Sequence, residues 1–381
     1  MLRKAFVSIT LCAVLLLLPF VGLKVNALSA DSISAPSAVL MESSTGKVLF
    51  EKNPHEQRPC ASVTKVMTLL LVFEAVDSGK LSLDDEITAS EHAAGMGGSD
   101  IWLEKGETMS ADDMIKATVV VSANDAAVAL AEHISGSEDA FVEKMNSRAK
   151  ELGMNDTVFK NCNGLDEEGH ITSAYDVALM SRELTKHEKI FDYTSIWLHN
   201  LRGKTQIVNT NKPLKTYNGI TGLKTGTTND AGCCMSATAT RGEVSLISVV
   251  IGCKTGKERF ADAAALLDYG FANVSVKELT LPEDMPKSIE VNGGMTDSVK
   301  LECKVSSKIV VDKENGAKIT TEIDLPDKID APVEKNRKIG TLTYLVNSKK
   351  VQSFDICAGD SVQKTSFGAL LEYVFASLIS L

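Results

Sequence analysis

The stretch "CASVTKVMTLLLVFEA", residues 60–75, decides the fold. From Val63 to Val72 it is apolar almost all round, which predicts a helix buried inside a domain rather than one lying on its surface. Lys65 nevertheless stands in its first turn, and lysine is almost never fully buried without a partner. Ser62 precedes it by three residues, and residues i and i+3 of a helix share a face. A serine hydroxyl is a weak nucleophile at neutral pH and needs a base within hydrogen-bond reach. A lysine serves as that base where desolvation or nearby cations lower its pKa towards neutrality. Ser62 at the helix start would also place backbone N–H groups where an oxyanion develops. The competing reading is a capping serine with a snorkelling lysine.

Spacing alone does not single out this pair, because Ser44/Lys47, Ser147/Lys150 and Ser361/Lys364 share it. Their contexts differ. The first straddles a predicted hairpin turn at Thr45-Gly46, the second lies on a charge-rich helix, and the third leads into the tail. Two further motifs follow Ser62. Ser122-Ala123-Asn124 is the only S-x-N in the chain and sits between an apolar run and a new helix; there, either polar residue would also suit a helix cap. Lys224-Thr225-Gly226 leads into a strand. It offers a cation, a hydroxyl and a position without a side chain, where a substrate backbone can approach closely. A second K-T-G, Lys254 to Gly256, follows one strand directly and precedes a helix, so it reads as a connecting turn.

Around these motifs the pattern is α/β. "APSAVLMESSTGKVLFEKN" predicts a hairpin, and residues 82–110 are irregular. From Ser110 to Glu151 the periodicity is helical, with Ser110 and Asp113 forming an acidic variant of the capping box and Gly153 ending the run. "TSAYDVALMSRELTKH" is another helix, "CCMSATAT" and "EVSLISVVIG" are paired buried strands, and "RFADAAALLDYGFANV" is a closing helix. The expected core is a sheet built from both ends of the segment, flanked by helices, with a helical insert. From about Lys277, short alternating segments predict a small all-β domain. The division expected is 1–30 targeting segment, 31–275 catalytic domain, 276–363 β domain and 364–381 terminal amphipathic helix.

Residues 1–30 combine a basic start, an apolar run and the small-residue ending "VNALSA", as an export signal does; a retained anchor is the alternative, since the run from Ala5 to Leu23 is long enough. The formal net charge of −10 argues against a non-specific nucleic-acid binder. Cys12 falls within the signal; Cys60, Cys162, Cys233, Cys234, Cys253, Cys303 and Cys357 remain, an odd set that does not suit a closed disulfide framework. The histidines show no metal-ligand spacing, so a zinc site is not expected; serine–lysine chemistry needs only side chains and water, so no cofactor is expected either. The tail "FGALLEYVFASLISL", with Phe367, Tyr373 and Phe375, suits either a helix docked on the β domain or one lying in a membrane interface.

S-x-x-K, S-x-N and K-T-G in that order form the motif set of serine acyl-transfer enzymes acting on penicillin and on D-Ala-D-Ala peptides. With "ASVTKVMT", "SANDAAVALAEHISGSEDAFVEKMNSRAKELGM", "GLDEEGHITSAYDVALM" and "GLKTGTTNDAGCC", the chain resembles the low-molecular-mass penicillin-binding proteins that are D-alanyl-D-alanine carboxypeptidases. Ala123 stands where class A β-lactamases carry Asp. The resemblance implies that Ser62 attacks the carbonyl between the terminal D-alanines and Lys65 takes its proton. Ser122 would relay a proton to the leaving amine, assisted by Lys224. Asn124 would bind the substrate amide; Lys224, Thr225 and Arg259 would hold the terminal carboxylate. The N–H groups of Ser62 and Thr227 would form the oxyanion hole. For Arg259 alone a surface charge is the competing reading. The resemblance also implies peptidoglycan stem peptides as substrate, covalent inhibition by β-lactams, an extracytoplasmic location and a tail docked on the membrane. It leaves open vegetative wall maturation and spore cortex synthesis. A serine β-lactamase would use the same motifs but add a deacylating glutamate; the nearest candidate, Glu143, lies in a continuous predicted helix. A non-catalytic wall-binding protein is the rival of a different class, against which all three motifs stand intact.

Overall fold

Glu42 shows how the first hairpin closes. Its carboxylate is fully buried and accepts from the N–H groups of Ser44 and Thr45 at 3.0 and 2.8 Å, and from both their hydroxyls. Gly46, with φ of +74°, completes the turn. Strands β1 (Ser37–Glu42) and β2 (Val48–Lys52) leave it antiparallel. The computed structural model describes residues 28–203, 205–313, 318–368 and 371. The signal reading of 1–27 and nearly all of the tail-helix reading lie outside the described residues. Residues before Ile33 form a separate unit, whose described part carries a single turn of 3-10 helix, Ala30–Ser32.

As expected, β1 and β2 join strands from the far end of the catalytic segment. These are β3 (Ile220–Thr228), β4 (Gly232–Arg241) and β5 (Val244–Cys253), in the order β2-β1-β5-β4-β3, with every pair antiparallel. Strand β1 is buried at all its positions, which requires cover on both faces. Of the helices α1 (Lys65–Asp77), α2 (Ala111–Val120), α3 (Asn124–Ser135), α4 (Glu138–Glu151), α5 (Ala174–Leu184) and α6 (Gly256–Asn273), α5 and α6 pack on the sheet, α1 reaches β3, and α2, α3 and α4 form the helical insert. Neighbouring residues of β4 point to opposite covers. Ser236 hydrogen-bonds Ser181 of α5 at 2.7 Å, whereas Met235 and Ala237 face Ala263 and Leu267 of α6 across a cavity.

Local chemistry sets the helix ends. Ser110, Ser137, Ser173 and Thr255 each accept the N–H of the residue three positions on. Thr255 and Glu258 complete a capping box, so the second K-T-G is a strand-to-helix connection. Gly136 (φ +84°) ends α3 and Gly153 (φ +76°) follows α4. Helix α1 is the buried one expected: Val66, Met67, Leu70, Val72 and Phe73 are inaccessible to solvent. One detail differs from the sequence reading. Ser62 does not open the α-helix; it lies inside a 3-10 turn, Ala61–Thr64, that precedes it. The helical run 110–151 is three helices, and the new helix expected after the S-x-N segment begins at Asn124.

The β-rich end is a separate layer system. Strand β6 (Val274–Glu278) pairs with β9 (Lys308–Asp312). Strands β7 (Ser288–Asn292), β8 (Ser298–Glu302), β10 (Ile319–Asp324), β11 (Lys328–Asp330), β12 (Lys338–Val346) and β13 (Lys349–Ala358) form one sheet in the order β10-β12-β13-β8-β7-β11. Two small clusters fill it, one around Val291 and Val299 and one around Leu342 and Ile356.

Removing a single cap tests the helical insert. Ser110→Ala is expected to lower stability by about 1 kcal/mol, read as a lower urea midpoint; an unchanged midpoint would show that Ser110 does not hold the start of α2.

Candidate active site

The Ser62 turn is built by close packing against two glycines. Ala61 adopts φ of +52°, a conformation disfavoured by about 1–2 kcal/mol for a residue with a Cβ. A Cβ on Gly164 would lie 2.0 Å from the Ala61 carbonyl oxygen, and one on Gly226 would lie 2.7 Å from the Cys60 oxygen and 2.9 Å from the Ser62 nitrogen. The turn is therefore held between strand β3 and the 161–165 loop. The backbone that Gly226 admits is that of the Ser62 turn, and Thr227 is the next residue along β3.

Lys65 is wholly buried. Its Nζ lies 2.6 Å from Asn124 Oδ1, 2.6 Å from the Asn163 carbonyl oxygen and 3.1 Å from Ser62 Oγ. None of these partners carries a charge. Burial pushes its pKa down to about 7. A neutral amine has two N–H groups and one lone pair. With two carbonyl oxygens fixed on the N–H groups, the lone pair is left facing the Ser62 hydroxyl. The ammonium form would satisfy all three acceptors in the same place, so the proton can move without rearrangement.

The S-x-N segment is the break between α2 and α3. Ser122 takes φ of +65° and is 5% exposed; its hydroxyl has no hydrogen-bond partner among the described residues. Buried polar groups are ordinarily satisfied, so Ser122 is a donor or acceptor held in reserve. Asn124 caps nothing with its side chain. Its Oδ1 takes Lys65, and its Nδ2 donates to the Gly97 oxygen at 2.6 Å.

Strand β3 carries the third motif. Lys224 is buried, with Nζ donating to the Thr225 carbonyl at 2.9 Å. Burial, then the neighbouring Lys65 and Arg259 charges, hold its pKa well below the usual lysine value. Thr225 donates its hydroxyl proton to Thr210. Arg259, in the first turn of α6, is also buried rather than a surface charge. Its Nη1 donates to the Gly226 oxygen at 2.9 Å and to Thr227 Oγ1 at 3.0 Å, and its Nε has no partner among the described residues. The decoys stay apart: Ser44 is bound to Glu42, and Glu143 is exposed on the middle of α4.

Sequence reasoning missed the supports of this cluster. Asn163 and Gly164 act through backbone, and only the Asn-Gly turn signal marks them. His170 is buried, and burial pushes its pKa to about 4, so its ring is neutral. Its Nδ1 accepts from the Lys160 N–H at 3.2 Å, which leaves Nε2–H to donate to Thr64 Oγ1 at 2.8 Å. It thereby ties the 160–171 loop to the Ser62 turn. Buried Asp125 takes the N–H groups of Ile101 and Leu103.

Gly164→Ala is expected to destabilise the fold by about 2–4 kcal/mol, from a Cβ overlap added to a left-handed backbone. A melting temperature equal to that of the wild type would overturn this account of the turn.

The chain is similar to known proteins over most of its length. The D-alanyl-D-alanine carboxypeptidase family profile matches residues 24–255, and that of the penicillin-binding protein 5 C-terminal domain matches 277–364. The chain is 42% identical over 343 residues to the D-alanyl-D-alanine carboxypeptidase DacF of Bacillus subtilis, covering 89% of this chain and 88% of the relative. Penicillin-binding protein 5 of Haemophilus influenzae superposes with a TM-score of 0.78 at 30% identity, over 89% of this chain and all of that one. Penicillin-binding protein D2 of Listeria monocytogenes, in its ampicillin-bound form, gives 0.58 at 34% identity over 63% of this chain and 98% of that one. The chain belongs to the D-alanyl-D-alanine carboxypeptidase family, the serine-type, low-molecular-mass penicillin-binding enzymes of peptidoglycan metabolism.

Proposed function

We propose that the chain removes the terminal D-alanine of peptidoglycan pentapeptides through an acyl-enzyme on Ser62. The observation that carries this reading is the buried Lys65 amine, 3.1 Å from Ser62 Oγ and 2.6 Å from each of two uncharged carbonyl oxygens. As Oγ attacks the carbonyl of the penultimate D-alanine, its proton passes to Lys65. The negative charge that develops on the carbonyl oxygen meets the N–H groups of Ser62 and Thr227. Collapse breaks the peptide bond, and the leaving D-alanine amine takes a proton through the unpartnered Ser122 hydroxyl, with Lys224 behind it. Water then attacks the ester, freeing the shortened peptide and returning the proton to Oγ.

Asn124 would hold the substrate amide on the acyl side. The C-terminal carboxylate would meet Thr225, Lys224 and the N–H groups of Arg259 not engaged with β3. The low pKa of Lys224 follows first from burial and then from its cationic neighbours, and an arriving carboxylate would restore its charge.

The same nucleophile would open β-lactams, a reading supported by the ampicillin-bound relative. The family is extracytoplasmic. Export by residues 1–30 is supported by their basic start and apolar run, and membrane association of the tail by Phe367 and Leu371, which are 84% and 47% exposed.

Three outcomes are expected. The full chain releases D-alanine from diacetyl-lysyl-D-Ala-D-Ala, and Ser62→Ala does not; no release from the wild type, with no labelling of Ser62 by penicillin, would overturn the reading. Lys65→Met lowers the acylation rate by about 10²- to 10⁴-fold while the circular-dichroism spectrum stays native. The acylation rate also falls with acid. Below about pH 7 the Lys65 lone pair is protonated, so the rate drops about tenfold per pH unit. A rate flat between pH 5 and 8 would exclude Lys65 as the base.

A further inference from the structure

Trp102 lies in the loop between Gly95 and Glu107, and the chemistry above makes no use of it. It is 77% exposed, and its φ is +55°. Left-handed backbone at a bulky residue is a genuine outlier, and such strain persists only where the surroundings enforce it. Here they do. Ile101 and Leu103, on either side, are buried. Their N–H groups both donate to the Asp125 carboxylate at 3.0 Å. Arg202 donates to the Ile101 carbonyl oxygen at 2.9 Å and is itself held by Glu107 at 2.6 Å. A buried carboxylate and a paired arginine thus fix a backbone whose outward product is one large aromatic side chain. The indole makes no hydrogen bond or ring contact with any described residue.

The same loop walls the active site. The Gly97 and Ser99 carbonyl oxygens accept from Asn124 Nδ2 and N, each at 2.6 Å. A Cβ on Gly98 would lie 2.9 Å from Asn124 Nδ2 and 3.6 Å from Leu165 Cδ2. The leaving D-alanine belongs on the side of Lys224 and Arg259. The wall at Asn124 therefore borders the acyl half of the substrate, along which the stem peptide continues outward.

We propose that Trp102 is a specificity residue that receives the side chain of the amino acid preceding D-Ala-D-Ala and favours a long aliphatic chain ending in an amine. The inference rests on the reading that Asn124 holds the acyl-side amide. An indole face makes apolar contact with methylenes and attracts an ammonium through its quadrupole. The preceding side chain is the first group to leave the site on this side, whereas the sugar lies further off by the rest of the stem.

The test compares two peptides on the full chain: Nα-acetyl-lysyl-D-Ala-D-Ala with its ε-amine free, and N-acetyl-glycyl-D-Ala-D-Ala. Trp102→Ala is expected to lower the lysine-to-glycine ratio of kcat/KM by about five- to tenfold, chiefly through KM. Trp102→Phe should keep the ratio within about twofold of the wild type. An unchanged ratio in Trp102→Ala overturns the inference, whether both substrates lose activity, as from a loosened loop, or neither does. A loss confined to disaccharide-linked stem peptides also overturns it and assigns the indole to the glycan. Wild-type enzyme inactive on both peptides would instead sink the carboxypeptidase reading, and this inference with it.

Discussion

The burial of one amine organises this protein. Lys65 is inaccessible to water, and an ammonium in that position without a counter-charge is strongly disfavoured. The surrounding chain supplies carbonyl oxygens rather than carboxylates, one from Asn124 and one from the backbone at Asn163. A salt bridge would stabilise the charged form and raise the pKa; carbonyl partners with burial leave it near neutrality. Helix α1, which delivers the amine, is apolar all round because it must bury it. The helical insert and the sheet close over it from two sides.

The second constraint is the shape of the Ser62 turn. Ala61 and Ser122 both sit in left-handed backbone. Each is disfavoured locally and enforced by packing. For Ala61 the enforcement is visible in Gly164 and Gly226, whose missing side chains are filled by the turn itself. His170, held neutral by burial, fastens the 160–171 loop to Thr64 in that turn. The cost of these positions is offset by the large apolar core behind them.

Much of this architecture was legible along the chain. The hairpin at Thr45-Gly46, the buried helix after Ser62, the caps at Ser110 and Thr255 and the strands on either side of Arg241-Gly242 all rest on local rules, since turn chemistry, capping and periodicity act within a few residues. The decoy motifs were also separable by context: Ser44 is tied to Glu42, and Thr255 is a cap. The 3-10 turn at Ala61–Thr64 was not legible, because it is imposed by Gly164 and Gly226, which lie about 100 and 160 residues away.

The sequence by itself determined the order of elements, the residue types of the three motifs and the two-part organisation, since these follow from patterns of period two and 3.6. Tertiary structure alone decided the electrostatics. That Lys65 meets carbonyl oxygens rather than carboxylates, that Ser122 keeps an unpartnered hydroxyl, and that Arg259 is drawn onto β3 all depend on which distant segments share the low-dielectric interior. A pKa is set by that three-dimensional neighbourhood, and no spacing along the chain encodes it.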